Sequence, residues 1–370
     1  MLYFSLFIVF SACMVAFLFF NKIYIHTSTM AVVMALGIIT QGVLLNFFGT
    51  HFFHGVFGKI LTVIDLALWN SFSFSFILSF LNKKFREIHY FRPINRFGMG
   101  TWVAGTSICG ILIYKQFHEW VLIARLISYF NLGLWLIYIG LCVKAFYDIY
   151  RKELSKNVHG ILLLTTVSTQ SIVLLISTVF KHIPIKLDIL FISLGVSFYI
   201  LSTFLIIRRY CTKDDSRLIE TEWNNTNCIL HGALSITGLA SLVSHAASKQ
   251  GVMVIWICAA AVFLIVEVLE VYRLVKRIKS YGLKKGIFIY DVSQWSRVFT
   301  FGMFYTFTYL NNPNYFYFAL IRKMVILAGI WAILVLVLIE LLLCIRHVFK
   351  IYLNHANKHQ VNSASANSSL

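Results

Sequence analysis

The stretch 295–309, Trp-Ser-Arg-Val-Phe-Thr-Phe-Gly-Met-Phe-Tyr-Thr-Phe-Thr-Tyr, gathers the residues best suited to chemistry in this chain. It is too polar for a helix facing lipid, yet it lies among strongly apolar runs. On a 3.6-residue period Trp295, Phe299, Gly302 and Thr306 share one face, so a large aromatic sits one turn below a glycine and two below a hydroxyl. That arrangement suits a pore wall with a plug. Arg297 lies two residues from Phe299, about 200° around a helix, and so points away from any pore that Phe299 faces. A charge inside a membrane helix costs roughly 2.5 to 3.5 kcal/mol at mid-bilayer and usually takes a partner. Glu340, Glu267 and Glu270, near the ends of neighbouring apolar runs, are the expected partners of Arg297 in a structural ion pair.

Three carboxylates, Asp65, Asp188 and Glu267, could serve as proton relays of a coupled transporter, although hydrogen bonding between helices is the default reading for each. Glu267 and Glu270 also stand close enough to Arg273 and to Lys276 or Arg277 for local pairing. His231 and His245 are fourteen apart, a spacing that can hold two haems between paired helices, but no second helix of that kind is present. The seven cysteines show no CxxC spacing, so neither a disulfide framework nor a zinc site is indicated. No cofactor, metal or catalytic residue is expected, and the chain does not read as an enzyme.

The elements that carry these residues follow from composition. Of 370 residues 59% are hydrophobic and 12% charged, and the mean hydropathy is +0.80; soluble domains carry about twice that charge fraction. Apolar runs long enough to cross a hydrocarbon core of about 30 Å recur throughout. Residues 1–20 form one, with neither the basic start nor the cleavage site of a signal peptide. Ten follow, at 29–48, 57–81, 98–114, 120–146, 160–180, 187–207, 227–247, 252–275, 293–310 and 319–345. The formal charge of +18 would suggest nucleic acid in a soluble protein, but the basic residues cluster between apolar runs and read as topology signals.

Those charges alternate. Lys83, Lys84, Arg86, Arg92 and Arg96 follow the second core span, Lys144, Arg151, Lys152 and Lys156 the fourth, Arg208, Arg209, Lys213 and Arg217 the sixth. The eighth is followed by Arg273, Lys276, Arg277, Lys279, Lys284 and Lys285, the tenth by Arg346, Lys350 and Lys358. The intervening connections hold only Lys59, Lys115, Lys181 with Lys186, Lys249, and Arg322 with Lys323. Basic loops stay cytoplasmic, which puts the start of the first core helix and the C-terminus inside and Met1 outside. Asn224 and Asn367 head glycosylation patterns on that inner side, where they would not be modified.

A second alternation concerns polarity. Odd core helices are rich in glycine and hydroxyls, at 34–42, 98–107, 165–171, 232–238 and in the stretch that contains Phe299, whereas even ones are mostly Leu, Ile, Val and Phe. Small and hydroxyl residues let helices pack closely or face water, and bulky aliphatics are free to face lipid. The chain therefore reads as an all-α integral membrane protein of five hairpins, each with one inner and one outer helix. Residues 1–28 form an extra N-terminal membrane segment and connector, 29–347 the ten-helix domain, and 348–370 a polar, disordered cytoplasmic tail.

At the odd helices the sequence resembles the tellurite-resistance/dicarboxylate transporter family, which takes in bacterial TehA-like proteins, fungal malate permeases and sulfite pumps, and plant slow anion channels. The matching stretches are 33–37 (Val-Met-Ala-Leu-Gly), 96–106 (Arg-Phe-Gly-Met-Gly-Thr-Trp-Val-Ala-Gly-Thr), 167–171 (Val-Ser-Thr-Gln-Ser), 231–240 (His-Gly-Ala-Leu-Ser-Ile-Thr-Gly-Leu-Ala) and 295–303 (Trp-Ser-Arg-Val-Phe-Thr-Phe-Gly-Met). The resemblance implies ten helices around a central pore, occluded by a phenylalanine on the ninth core helix at the position of Phe299, and a homotrimer. Many relatives carry a proline directly after that phenylalanine, where this chain has Thr300 and so lacks the kink a proline would impose.

On this reading the pore is lined by Gly37, Gly98, Thr101, Gly105, Thr165, Ser168, Gly232, Ser235, Gly302 and Thr306, whose hydroxyl dipoles and a net positive field favour anions without a fixed high-affinity site. The expected activity is transport of small anions, such as C4-dicarboxylates, sulfite, tellurite-type oxyanions, nitrate or chloride, across the plasma membrane, with lipid as the surrounding partner and no nucleic acid. A proton-coupled dicarboxylate carrier stays open as an alternative, as does a membrane receptor or haem-binding redox protein.

Overall fold

The structure, a computed structural model, describes residues 2–180, 182–211, 222–286, 288–312 and 316–367. Lys181, Lys213 and Arg217 lie outside the described residues, and the side chains of Lys284, Lys285, Lys358 and Asn367 are likewise not described. Eleven long helices, with no strand among the described residues, make the protein an all-α integral membrane protein. They are α1 (Leu2–Phe20), α2 (Thr27–His54), α3 (Val56–Leu81), α4 (Pro93–Gln116), α5 (His118–Arg151), α6 (Gly160–Val179), α7 (Ile185–Cys211), α8 (Asn225–Val243), α9 (Lys249–Gly286), α10 (Gln294–Leu310) and α11 (Phe316–Asn367).

Polarity sorts these helices into two rings. Within their most apolar windows α2, α4, α6 and α8 are 72%, 94%, 94% and 78% buried, against 28%, 17%, 22% and 22% for α5, α7, α9 and α11. The outer helix α3 is more covered, at 44%, because α1 packs along it. Since the outer helices carry the chain back, the five inner ones run parallel from the end bearing the basic connections to the opposite, charge-poor end. At 17 residues α10 is about 26 Å long, shorter than the hydrocarbon core; a helix enclosed by other helices need not match the bilayer.

Each ring is tied to the other through polar groups that lipid could not satisfy. Three outer helices donate a tryptophan indole to a threonine on the following inner helix: Trp69 to Thr106 at 3.0 Å, Trp135 to Thr169 at 3.1 Å and Trp256 to Thr308 at 2.9 Å. At the basic end neighbouring inner helices interlock. The indole of Trp102 donates to the Thr27 carbonyl at 2.8 Å, the Gly160 amide donates to Asn227 at 2.8 Å, and His159 and Thr226 meet at 2.8 Å. Outside the spans, burial pushes His89 and His159 down to about 4, so both are neutral; His89 contacts the Thr27 hydroxyl at 2.9 Å.

Most helices extend beyond the sequence boundaries, whereas α8 stops at Val243, short of the expected 247. The outer helices α5, α9 and α11 run past the first charges at the basic end, because charged residues continue a helix when they pair along it, as Asp148 does with Lys152 at 3.6 Å. The backbone of α11 stays helical to Asn367, past the boundary expected at 347 and into the stretch expected to be disordered. Helices α1, α3 and α8 stop in the same way, with Lys22, Lys83 and His245 left-handed and the next amide bonded five residues back.

The Trp135–Thr169 bond sets a measurable coupling. A double-mutant cycle of Trp135→Phe and Thr169→Val, read by unfolding in mixed micelles, should give about 0.6 kcal/mol, the mean for such bonds in membranes; additive single effects would show that the bond contributes nothing.

Candidate functional site

The inner helices converge on one cavity of about 280 Å³ in their C-terminal halves, toward the charge-poor end. Each contributes a stripe at helical spacing: Ile38, Gln41 and Leu45 from α2; Ser107, Ile111 and Lys115 from α4; Ser171, Leu174 and Thr178 from α6; Ile236, Leu239 and Val243 from α8; Phe299, Met303, Thr306 and Leu310 from α10. On α2 the stripe passes through a π-helical turn, Ile39–Leu44, where Gly42 abuts the Thr306 side chain. A side chain on residue 42 would collide with α10, so glycine is required by the close approach. The N-terminal lining residues Ile38, Ala104, Ser171, Ile236 and Phe299 form the floor of the cavity, and Phe299, only 2% exposed, is the largest of them.

Thr300, beside Phe299, is fully buried and packs into the space left by Gly232, while its hydroxyl donates to the Arg297 carbonyl at 3.0 Å. The helix runs unbroken from Gln294 to Leu310, so threonine here keeps the backbone hydrogen bond that a proline would remove.

Arg297 points to the other side of α10, where its Nη2 lies 2.8 Å from Glu270 Oε1 on α9. Glu270 also accepts from the Trp223 indole at 2.9 Å and lies 3.5 Å from Arg273, which in turn donates to Asn225 at 2.8 Å. Of the three carboxylates considered for Arg297, Glu270 is the one at ion-pair distance. Glu267 lies 3.9 Å from His231, and one oxygen of Glu340 has no hydrogen-bond partner; both line a separate pocket of about 440 Å³ with Arg297 at the basic end. The ring of His231 is buried edge-on against Phe263 and Phe301, which fill the space a haem would need, and His245 lies past the end of α8.

Of the ten residues expected to line a pore, Thr306 faces the cavity and the other nine do not line it. Gly37 lies against Ile108, Gly98 against Thr27 and Ile161, Gly105 against Met30, Gly232 against Thr300, and Gly302 against Ile38. Thr101, Thr165, Ser168 and Ser235 turn their hydroxyls back onto carbonyls three or four residues earlier, at 2.7 to 3.1 Å. The five glycines and Thr101 sit at contacts with neighbouring segments of the inner ring. Small residues serve close packing and pore walls equally well, which is why composition does not separate the two.

The cavity contains groups that sequence reasoning passed over. Lys115, counted among the loop charges, is the last basic residue of α4 and faces the cavity. Gln41, in the middle of α2, is 8% exposed and its carbonyl oxygen has no partner. Ser107 and Ser171 are hydrogen-bonded to each other at 3.1 Å and held by Asn131, which donates to Ser107 at 2.9 Å. A lysine or glutamine in a strongly apolar span was the available signal. Behind the cavity wall, Asp65 on α3 is fully buried and neither of its carboxyl oxygens has a hydrogen-bond partner; Asp188 is nearly buried and accepts from Ser177 at 3.4 Å.

The Arg297 cluster makes a prediction. Arg297→Met should cost about 3 to 5 kcal/mol in unfolding assays, since it leaves the Glu270 charge buried without its closest cation, and adding Glu270→Gln should recover most of that loss. Equal instability of single and double variants would show that the pair is not the source.

The sequence profile described as voltage-dependent anion channel matches residues 24–350, which takes in all ten core helices and leaves out α1. A search among curated proteins found no significant match. Ten core helices in five hairpins, with inner helices converging on one cavity, thus accompany a profile match over nearly the whole chain, and the chain belongs to the voltage-dependent anion channel family, within the tellurite-resistance/dicarboxylate transporter superfamily.

Proposed function

We propose that this protein is a plasma-membrane channel for small anions that conducts along the axis of the five inner helices, with the Phe299 ring as the plug. The observation that carries this reading is that all five inner helices meet at one cavity, that Phe299 lies in its floor, and that no carboxylate is among the lining residues. A ring closing a narrow apolar constriction excludes a hydrated ion until the ring moves. The formal charge of +18 biases the protein's field toward anions. On this reading the basic connections, and with them the C-terminus, face the cytoplasm, and α1 begins outside. Below Phe299 the conducting path follows the contacts among Gly37, Gly98, Thr101, Gly105, Thr165, Ser168, Gly232 and Ser235, which must part slightly for ions to pass, while Gly302 and Thr306 lie above the plug. The Arg297–Glu270 pair holds α10 in register against α9 and so sets where the ring points.

A second reading, a proton-coupled carrier, is favoured by Asp65, a fully buried carboxyl with no hydrogen-bond partner on either oxygen, because ionisable groups within membrane spans commonly mark proton relays. The class of cargo is the same, and coupling is what differs.

Phe299→Ala should raise anion flux into liposomes well above wild type; unchanged flux in a folded variant would remove the ring from the gate. Asp65→Asn should leave flux unaltered at every external pH if the protein is a channel, whereas loss of a pH-driven component would establish the carrier.

A further inference from the structure

We infer that the cavity above Phe299 holds a discrete anion-binding site centred on the Lys115 ammonium, which takes one singly charged anion and disfavours a dianion. This rests on the transport reading above and sharpens it.

The argument begins with the supply of hydrogen-bond donors. The hydroxyl protons in the cavity wall are already committed: Ser107 donates to Ser171 at 3.1 Å, Ser171 to the Ser168 carbonyl at 2.7 Å, and Thr306 to the Gly302 carbonyl at 2.7 Å. A hydroxyl has one proton to give, so these three present lone pairs to the cavity, which repel an anion. These three hydroxyls therefore do not select the ion here. What remains is Lys115, whose ammonium makes no hydrogen bond or ion pair among the described residues, together with the amides of Gln41 and Asn46 and the hydroxyl of Thr178, which likewise donate to no described group. The Gln41 side chain is more than nine-tenths buried and reaches the cavity from the π-helical turn of α2. The Lys115 ammonium, with three donors and the charge, provides for one small anion in a cavity that these neutral donors also line.

Charge then sets valence. Lys115 is the one cation among the lining residues, and no carboxylate opposes it, so a single negative charge neutralises the site. A dianion would leave one charge facing Ile38, Ile108, Ile236 and Leu239, where an unpaired charge is costly. Chloride, nitrate, hydrogensulfite and a half-protonated dicarboxylate satisfy the site; sulfate and a fully ionised dicarboxylate do not.

The test uses full-length protein carrying Phe299→Ala, so that flux is open, with Lys115 intact, as Lys115→Gln, or as Lys115→Arg. Lys115→Gln should raise the half-saturating chloride concentration about tenfold, the loss of one charged hydrogen-bonding partner, and abolish discrimination between chloride and sulfate. Lys115→Arg should retain both. An unchanged half-saturation and preference in Lys115→Gln would overturn the site while leaving the pore intact. Should the Phe299→Ala parent carry no anion at all, the transport reading fails, and the site is still read by thermal unfolding in detergent. There sodium nitrate should raise the midpoint of the parent and of Lys115→Arg relative to sodium gluconate, and leave Lys115→Gln unmoved; equal shifts in all three would refute the site.

Discussion

Hydrocarbon offers a polar group no hydrogen-bond partner, and the rest of this structure depends on that constraint. A serine, threonine or indole within the spans is costly unless it is met from inside the protein. Most hydroxyls are met by their own helix, three or four residues back, and three indoles by a threonine on the next inner helix. Once those bonds are made, the inner helices are nearly inert toward solutes, however polar their composition. Chemistry then falls to groups left over, among them Lys115 and Gln41 facing the cavity, Asp65 behind its wall, and the Arg297 cluster on the far side of α10.

Helix α10 connects two of these. One face carries Phe299 into the floor of the cavity, and the other anchors Arg297 on Glu270. Between them Gly302 and Thr306 lie tight against α2, the latter filling the notch at Gly42. A helix held on two opposite sides has little freedom to rotate, so motion of the Phe299 ring is a rotamer change, or requires the Glu270 cluster to give. Unbroken through Thr300, α10 also lacks a proline, which leaves the ring's position to packing.

The architecture was legible because it follows from two one-dimensional patterns. Basic residues alternate between connections and small polar residues alternate between spans, and each pattern reflects a physical rule that acts residue by residue. The candidate site was legible only in part. Phe299 was marked by its neighbours in the stretch from Trp295, but Gly37, Gly105 and Gly232 were assigned to a wall and turn out to face other helices. Nothing local distinguishes a glycine that clears a pore from one that admits Ile108, Met30 or Thr300. Lys115 failed to stand out for the opposite reason: it lies at a span end, where a lysine is ordinary, and its approach to the cavity depends on how five helices lean together.

The central claim is that anions, and not cations, cross along the inner ring. Planar-bilayer recording from the purified protein under a salt gradient, with chloride replaced by gluconate and then sodium by a bulky organic cation, tests it most directly. The account predicts a reversal potential that follows the permeant anion and ignores the cation; a reversal potential that tracks the cation would contradict it.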